Sequence, residues 1–90
     1  MKTVLKTCKI ENELGIHARS AAMIVEIANR YRAKIFLEKN GREVNAKSIL
    51  GILTLGCPKG STLTVRAEGA DAYEAVDDIQ KLIDNRFGED

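Results

Sequence analysis

The strict alternation of Thr62–Glu68, TLTVRAE, is the feature that most constrains the fold of this chain. In an extended strand, Leu63, Val65 and Ala67 lie on one side and the polar residues between them lie on the other. A strand of this kind belongs to a sheet with one face in solvent. The helices of the chain must therefore all cover the opposite face.

Two further segments, residues 3–10 and 33–39, have the composition of strands. Asn40-Gly41 follows the second of them and precedes a short strand-like run, Arg-Glu-Val. Asn-Gly between two strand patterns is the strongest short signal for a hairpin. The sequence therefore predicts four strands, two of them joined by a tight turn.

Helical spacing begins at Ala18 and again near Asp71. The first pattern predicts a helix that runs to about Arg30, with Met23 on its exposed side. Acidic residues at the start of the second pattern and basic residues near its end suit the helix dipole. Its predicted buried stripe consists of Ala72, Ala75, Val76, Ile79, Leu82 and Ile83.

Residues 48–55, SILGILTL, are apolar on almost every side, so that either a strand or a short helix fits them. Ser48 is a good N-cap residue, and Gly56 suits the position that follows a helix. A buried strand seldom has a glycine such as Gly51 at its middle. We therefore predict a helix.

The predicted order of elements is β-α-β-β-α-β-α. It indicates an α+β fold, an open-faced β-sandwich in which three helices cover one face of a four-stranded antiparallel sheet. Ninety residues suit a single domain, 1–90. With a net charge of +1, no long apolar run and no signal peptide, we expect a cytoplasmic protein without nucleic-acid binding or membrane insertion.

His17 is the single histidine of the chain and stands where a turn passes into the first helix. Backbone N–H groups at a helix start have no intrahelical partner, which favours an anion there. An imidazole nitrogen is a nucleophile that needs no separate base, and Arg19 offers a guanidinium to phosphate oxygens. On position alone, a capping or surface role for His17 is the alternative.

Ile49, Leu50 and Leu53 fall together on one side of the short apolar helix. An exposed patch of this kind marks a protein-binding surface. Alternatively, loops partly cover these residues, and Ile52 and Leu55 belong to the core. The sequence alone leaves both interpretations open.

Cys8, Cys57 and His17 are the obvious metal-ligand types, but no ligand spacing links them. We expect no metal and no cofactor, and we expect Cys8 to act as a small buried hydrophobe. A small ligand-binding or metal-binding module is a competing hypothesis. It would need polar residues that converge on a pocket, for which a tight helical layer on a sheet leaves little room.

Four stretches together resemble the HPr family, the histidine-containing phosphocarriers of the phosphoenolpyruvate-dependent sugar phosphotransferase system. They are GIHARSAA (residues 15–22), the Asn40-Gly41 turn, NAKSILGILTLG (45–56) and AEGAD (67–71). The resemblance spans nearly the whole chain and implies the same open-faced sandwich.

The resemblance implies that enzyme I, charged by phosphoenolpyruvate, phosphorylates His17 on Nδ1, that Arg19 attends the phosphate, and that a IIA protein then receives the phosphoryl group. It implies a carrier rather than a stand-alone enzyme. Ser48 matches a regulatory serine that an HPr kinase/phosphorylase modifies. The positions that match partner contacts are Ala22, Ile49, Leu50 and Leu53, and transient contacts of this kind suit a monomer.

Ser20 departs from the family pattern, which usually has proline at this position. Proline there preorganises the first helical turn without loss of a hydrogen bond. Because His17 and Arg19 are retained, we expect phosphoryl transfer to persist. The alternative is a regulatory paralogue or nitrogen-type carrier that acts mainly by protein binding.

Overall fold

We describe residues 2–89 of a computed structural model of the chain. Within these residues the chain forms four strands, three α-helices and one short 3₁₀ helix. In chain order they are β1 (Thr3–Lys9), α1 (Ala18–Ala28), β2 (Lys34–Lys39), β3 (Arg42–Asn45), α2 (Ile49–Thr54), β4 (Thr62–Glu68), α3 (Ala72–Asp84) and the 3₁₀ helix (Arg86–Gly88).

The four strands form one antiparallel sheet in the order β1-β4-β2-β3. Leu63, Val65 and Ala67 of the central strand β4 are buried, and the residues between them are more exposed, as the alternation predicts. Asn40 and Gly41 both have positive φ, 53° and 83°, as a two-residue hairpin turn between β2 and β3 requires.

All three helices take part in covering one face of the sheet, so the predicted fold class is confirmed. α3 packs on β1, β4 and β2 through a stripe that includes Ile79 and Ile83, both fully buried. α1 packs on α2 and α3, and α2 contacts β3 at the other edge of the sheet. A single core of aliphatic side chains lies between the two layers.

The predicted helix at residues 48–55 is confirmed, with Ser48 as its N-cap and Leu55 as its C-cap. The Oγ of Ser48 accepts a hydrogen bond from the backbone N–H of Gly51 at 3.0 Å. Gly56 follows with φ 62°, the left-handed conformation that suits glycine after a helix.

Two expectations for α1 were inaccurate. The helix ends at Ala28 rather than near Arg30, because Asn29 caps it and asparagine disfavours helix interiors. Met23, expected on the exposed side, is half-buried and packs against the core, since a flexible thioether side chain fills such gaps.

The 3₁₀ helix after α3 was not predicted. Its Phe87 side chain is buried, although Arg86 and Phe87 both have positive φ, 55° and 56°. This conformation is uncommon for residues other than glycine, and burial of the aromatic ring offsets its cost. The turn directs Gly88 and Glu89 back towards the start of α1.

Among the helices of residues 2–89, none combines the length and the apolar character that crossing a bilayer would require.

Candidate functional site

His17 is the N-cap residue of α1, with extended backbone (φ −124°, ψ −176°). Its side chain is 30% exposed, so the ring is accessible yet held by its neighbours. The ring faces the backbone N–H of Ser20 as in a capping box, although no full hydrogen bond reaches it. The predicted position at the helix start is thus confirmed.

The loop before His17 is fixed by a close approach of two backbone segments. The N–H of Ile16 donates to the carbonyl oxygen of Cys57 at 2.8 Å. Gly15 adopts φ 65°, and a Cβ at this residue would lie only 2.4 Å from the same carbonyl oxygen. Glycine is therefore required at position 15 both for its conformation and for its lack of a side chain.

Ser20 occupies the third helical position and is fully buried. Its Oγ accepts a hydrogen bond from the backbone N–H of His17 at 2.9 Å and lies 3.2 Å from the His17 carbonyl oxygen, to which it donates. The serine therefore stabilises the turn that presents the histidine, by a hydrogen bond that proline at this position lacks.

Glu89 is a site residue that the sequence did not indicate. Its Oε2 lies 2.7 Å from His17 Nε2, and its Oε1 accepts a hydrogen bond from Asn12 Nδ2 at 2.9 Å. These two hydrogen bonds, of which the one with His17 has the larger effect, lower the pKa of the Glu89 carboxyl below its ordinary value. No periodicity or spacing links residues 12, 17 and 89, so only the folded chain reveals this cluster.

Arg19 is exposed next to this cluster, and its charge contributes to the lowered pKa of Glu89. Within residues 2–89 its guanidinium makes no side-chain hydrogen bond or ion pair. The N–H groups of the Arg19 guanidinium are therefore available to donate hydrogen bonds to an oxyanion at His17.

The structure exposes the apolar residues predicted for protein contact. Leu50 is 77% exposed, Ile49 38% and Leu53 37%, whereas Ile52 and Leu55 are buried in the core. Ala22 is exposed on α1, which packs against α2. We call these four residues, Ala22, Ile49, Leu50 and Leu53, the apolar patch.

The two cysteines are buried and apart from any ligand cluster. Burial raises the pKa of both thiols, that of Cys8 to about 11, so both stay protonated and behave as small core residues. Residues 2–89 contain no group of three or more His, Cys, Asp or Glu side chains arranged to hold a metal ion.

Two depressions in the described surface have volumes of about 70 and 240 Å³, and His17 lines neither. Typical small-molecule sites have volumes of roughly 300–1,000 Å³. Both depressions are smaller than such sites.

Comparison with known proteins agrees with this geometry. The family model "PTS HPr component phosphorylation site" matches residues 4–85. "Phosphocarrier protein HPr" of Cupriavidus necator is 44% identical over 80 residues, which are 89% of this chain and 90% of the relative. "HPr-like protein Crh" of Halalkalibacterium halodurans is 42% identical over 81 residues, 90% of this chain and 96% of the relative.

Among solved structures, that of HPr-C-His from Thermoanaerobacter tengcongensis superposes with a TM-score of 0.91 at 43% identity. The match covers 100% of this chain and 99% of that one. A full-length structural match, a family model over most of the chain and identities above 40% agree with one another. The chain belongs to the HPr family, the phosphocarrier proteins of the phosphotransferase system.

Proposed function

We propose that this protein carries a phosphoryl group on His17, which it accepts from phosphorylated enzyme I and passes to IIA components of sugar permeases. The main support is the placement of an accessible imidazole at the start of α1 beside the exposed, unengaged Arg19. Free N–H groups at a helix start and a guanidinium both stabilise a phosphate.

The apolar patch on α1 and α2 supplies the second requirement of a carrier, which is a docking surface for partner proteins. Leu50 exposes most of its side chain to water, an arrangement that favours burial against another protein. A carrier that presents its phosphoryl group on one small surface leaves the partner enzymes to complete the transfer geometry. We expect it to act in the cytoplasm as a single-domain monomer without nucleic-acid or membrane partners.

Variants of the site test this proposal. His17→Ala is expected to accept no phosphoryl group from phosphoenolpyruvate and enzyme I, because the acceptor nitrogen is absent. Arg19→Ala is expected to accept it more slowly, by about tenfold for a lost charge-assisted hydrogen bond. Arg32→Ala is the matched control and should transfer normally, since this exposed arginine follows the opposite end of α1 and, within residues 2–89, its guanidinium makes no hydrogen bond or ion pair either. Labelling of His17→Ala at the wild-type rate would refute the assignment.

Ser48 supports a regulatory role in addition. Its hydroxyl caps α2 next to Ile49 and Leu50, so a phosphate there would place about two negative charges at the edge of the apolar patch. We propose that an HPr kinase/phosphorylase modifies Ser48 and thereby weakens docking with enzyme I. ATP-dependent labelling should disappear in Ser48→Ala and persist in Ser61→Ala, and the reverse result would show that another residue is modified.

The second candidate function is that of a regulatory paralogue or nitrogen-type carrier, for which phosphorylation mainly sets protein binding. Ser20 in place of the usual proline favours it, and the match to an HPr-like protein is compatible with it. The discriminating observation is onward transfer. A phosphorylated protein that donates to a IIA component of a sugar permease is a sugar-branch carrier, whereas one that only binds its partners is a regulator.

A further inference from the structure

Residues 87–89 are held so that Glu89 meets His17. Phe87 is buried in the core, and the N–H groups of Gly88 and Glu89 donate to the carbonyl oxygens of Asn85 and Arg86 at 3.0 and 2.9 Å. The Glu89 side chain is 19% exposed. The buried ring of Phe87 and these two turn hydrogen bonds therefore hold the Glu89 carboxylate in place.

The hydrogen-bond partners determine which atoms in this cluster carry hydrogens. Asn12 is fully buried, and its amide nitrogen donates to the carbonyl oxygen of Gly15 at 2.8 Å and to Glu89 Oε1 at 2.9 Å. Both partners are acceptors, which fixes the orientation of the amide.

The other carboxylate oxygen, Glu89 Oε2, lies 2.7 Å from His17 Nε2. An ionised carboxylate only accepts hydrogen bonds, so the hydrogen of a neutral His17 ring resides on Nε2. The lone pair is then on Nδ1.

We propose that Glu89 is a positioning residue, whose carboxylate holds His17 in the tautomer with hydrogen on Nε2 and so selects Nδ1 as the phosphoryl acceptor. This inference rests on the proposed function of His17. It goes further in that it assigns the choice between the two ring nitrogens to the Glu89 side chain. The same carboxylate also occupies the approach to Nε2.

The chemical step balances without a base. The Nδ1 lone pair forms the N–P bond while the bond between phosphorus and its donor atom on enzyme I breaks, and the electron pair of that bond stays with the donor. No proton leaves the ring, because Nε2 retains its hydrogen. The ring becomes a phosphoimidazolium whose positive charge lies against the Glu89 carboxylate, and transfer to a IIA histidine reverses the step.

Glu89→Gln is the most informative variant, because it keeps the size of the side chain and replaces one acceptor oxygen by a donor. Asn12 presents an N–H to this position, so the remaining oxygen of the glutamine must face Asn12. Its NH₂ group then faces His17 Nε2 and favours hydrogen on Nδ1. Glu13→Gln is the matched control, since the carboxylate of Glu13 pairs with Lys59 at 2.5 Å rather than with the histidine.

The tautomer is measured by two-bond ¹H–¹⁵N correlation of the imidazole in the unphosphorylated, ¹⁵N-labelled protein at mildly alkaline pH. We expect hydrogen on Nε2 in the wild type and in Glu13→Gln, and a shift towards hydrogen on Nδ1 in Glu89→Gln. The rate of phosphoryl transfer from enzyme I should fall by about 10-fold to 100-fold with the KM for enzyme I unchanged, as for other partners that orient a histidine.

Identical tautomers in the wild type and Glu89→Gln, or an equal transfer rate, would overturn the role of Glu89 while leaving His17 as the phosphorylated residue. Absence of transfer in the wild type would instead refute the proposed function, whatever the tautomer. The two failures are therefore distinguishable in one set of samples.

Discussion

The backbone N–H of His17 donates a hydrogen bond to the Oγ of Ser20 over 2.9 Å, within the first turn of α1. The serine stands where the family usually has proline, and both residues order the same turn by different means. Proline does so through its fixed φ, whereas this serine accepts the hydrogen bond of a backbone donor that lacks an intrahelical partner. The departure from the family pattern thus retains a rigid start of the helix.

Ser20→Ala is expected to lower the free energy of unfolding by about 1 kcal/mol, because it removes this capping hydrogen bond from a buried site. Chemical denaturation provides the measurement. Ser61→Ala should change stability less, since the Ser61 hydroxyl is less buried and only donates to the Pro58 carbonyl. Equal losses in the two variants would show that the capping bond contributes little.

Ser20→Pro restores the usual family residue. We expect it to raise the rate of phosphoryl transfer or leave it unchanged, because the fixed φ of proline orders the first turn in place of the lost hydrogen bond from the His17 N–H to Ser20 Oγ. Transfer from enzyme I is the measurement. A large fall would mean that the serine itself acts in the site.

Gly15→Ala is expected to destabilise the protein more than Gly56→Ala. Both glycines have nearly the same φ, 65° and 62°, so both substitutions carry a conformational cost of about 1 kcal/mol. A Cβ at Gly56 would meet nothing within 4 Å, whereas one at Gly15 would collide with the Cys57 carbonyl oxygen at 2.4 Å. Overpacking adds about 1–3 kcal/mol at Gly15 only. Equal unfolding free energies in the two variants would contradict this account of the loop.

Leu50→Ser tests the apolar patch as a docking surface. Because Leu50 is 77% exposed, the change should leave stability almost unaltered and raise the KM for enzyme I by roughly tenfold, the effect of about 1.4 kcal/mol of lost contact. Leu5→Ser is the matched control, since Leu5 is 59% exposed on β1 and outside the patch. A similar rise in KM for both variants would argue against a defined docking site.

Asp71 predicts a pH dependence of stability. Its carboxylate accepts hydrogen bonds from the backbone N–H groups of Arg32 and Ala33, each at 2.9 Å. These hydrogen bonds, of which the one from Arg32 has the larger effect, lower the pKa of Asp71 below its ordinary value of 3.8. A carboxyl whose pKa is lowered by folding stabilises the protein above its unfolded pKa. This contribution is lost as pH falls through the lowered value.

The measurement for Asp71 is the difference in unfolding free energy between the wild type and Asp71→Asn as a function of pH. It should be constant at neutral pH and shrink as the pH falls below about 4, the ordinary range of an aspartate. Asp84→Asn is the control, because within residues 2–89 the Asp84 carboxylate accepts no side-chain hydrogen bond. The difference in unfolding free energy between the wild type and Asp84→Asn should stay small at every pH.

Most of the fold follows from local patterns in the sequence. The alternation in β4, the helical stripe of α3 and the caps Ser48 and Gly56 each correspond to the observed elements, since each depends on residues close in the chain. The half-buried Met23 was missed because tertiary packing, not periodicity, decides whether such a residue is covered.

The candidate site was predictable only in part. His17, Arg19 and the apolar patch stand out through residue type and resemblance, whereas the contact between His17 and Glu89 joins residues 72 positions apart. It depends on a tight turn of non-glycine residues with positive φ around Phe87, for which the sequence carries no turn signal.

The most direct test of the central claim is the intact mass of the purified protein after incubation with phosphoenolpyruvate and enzyme I from the same organism. The account predicts a gain of one phosphoryl group, about 80 Da, that brief acid treatment removes, as expected of a phosphohistidine. No gain in mass, or a gain that survives acid, would contradict phosphoryl transfer through His17.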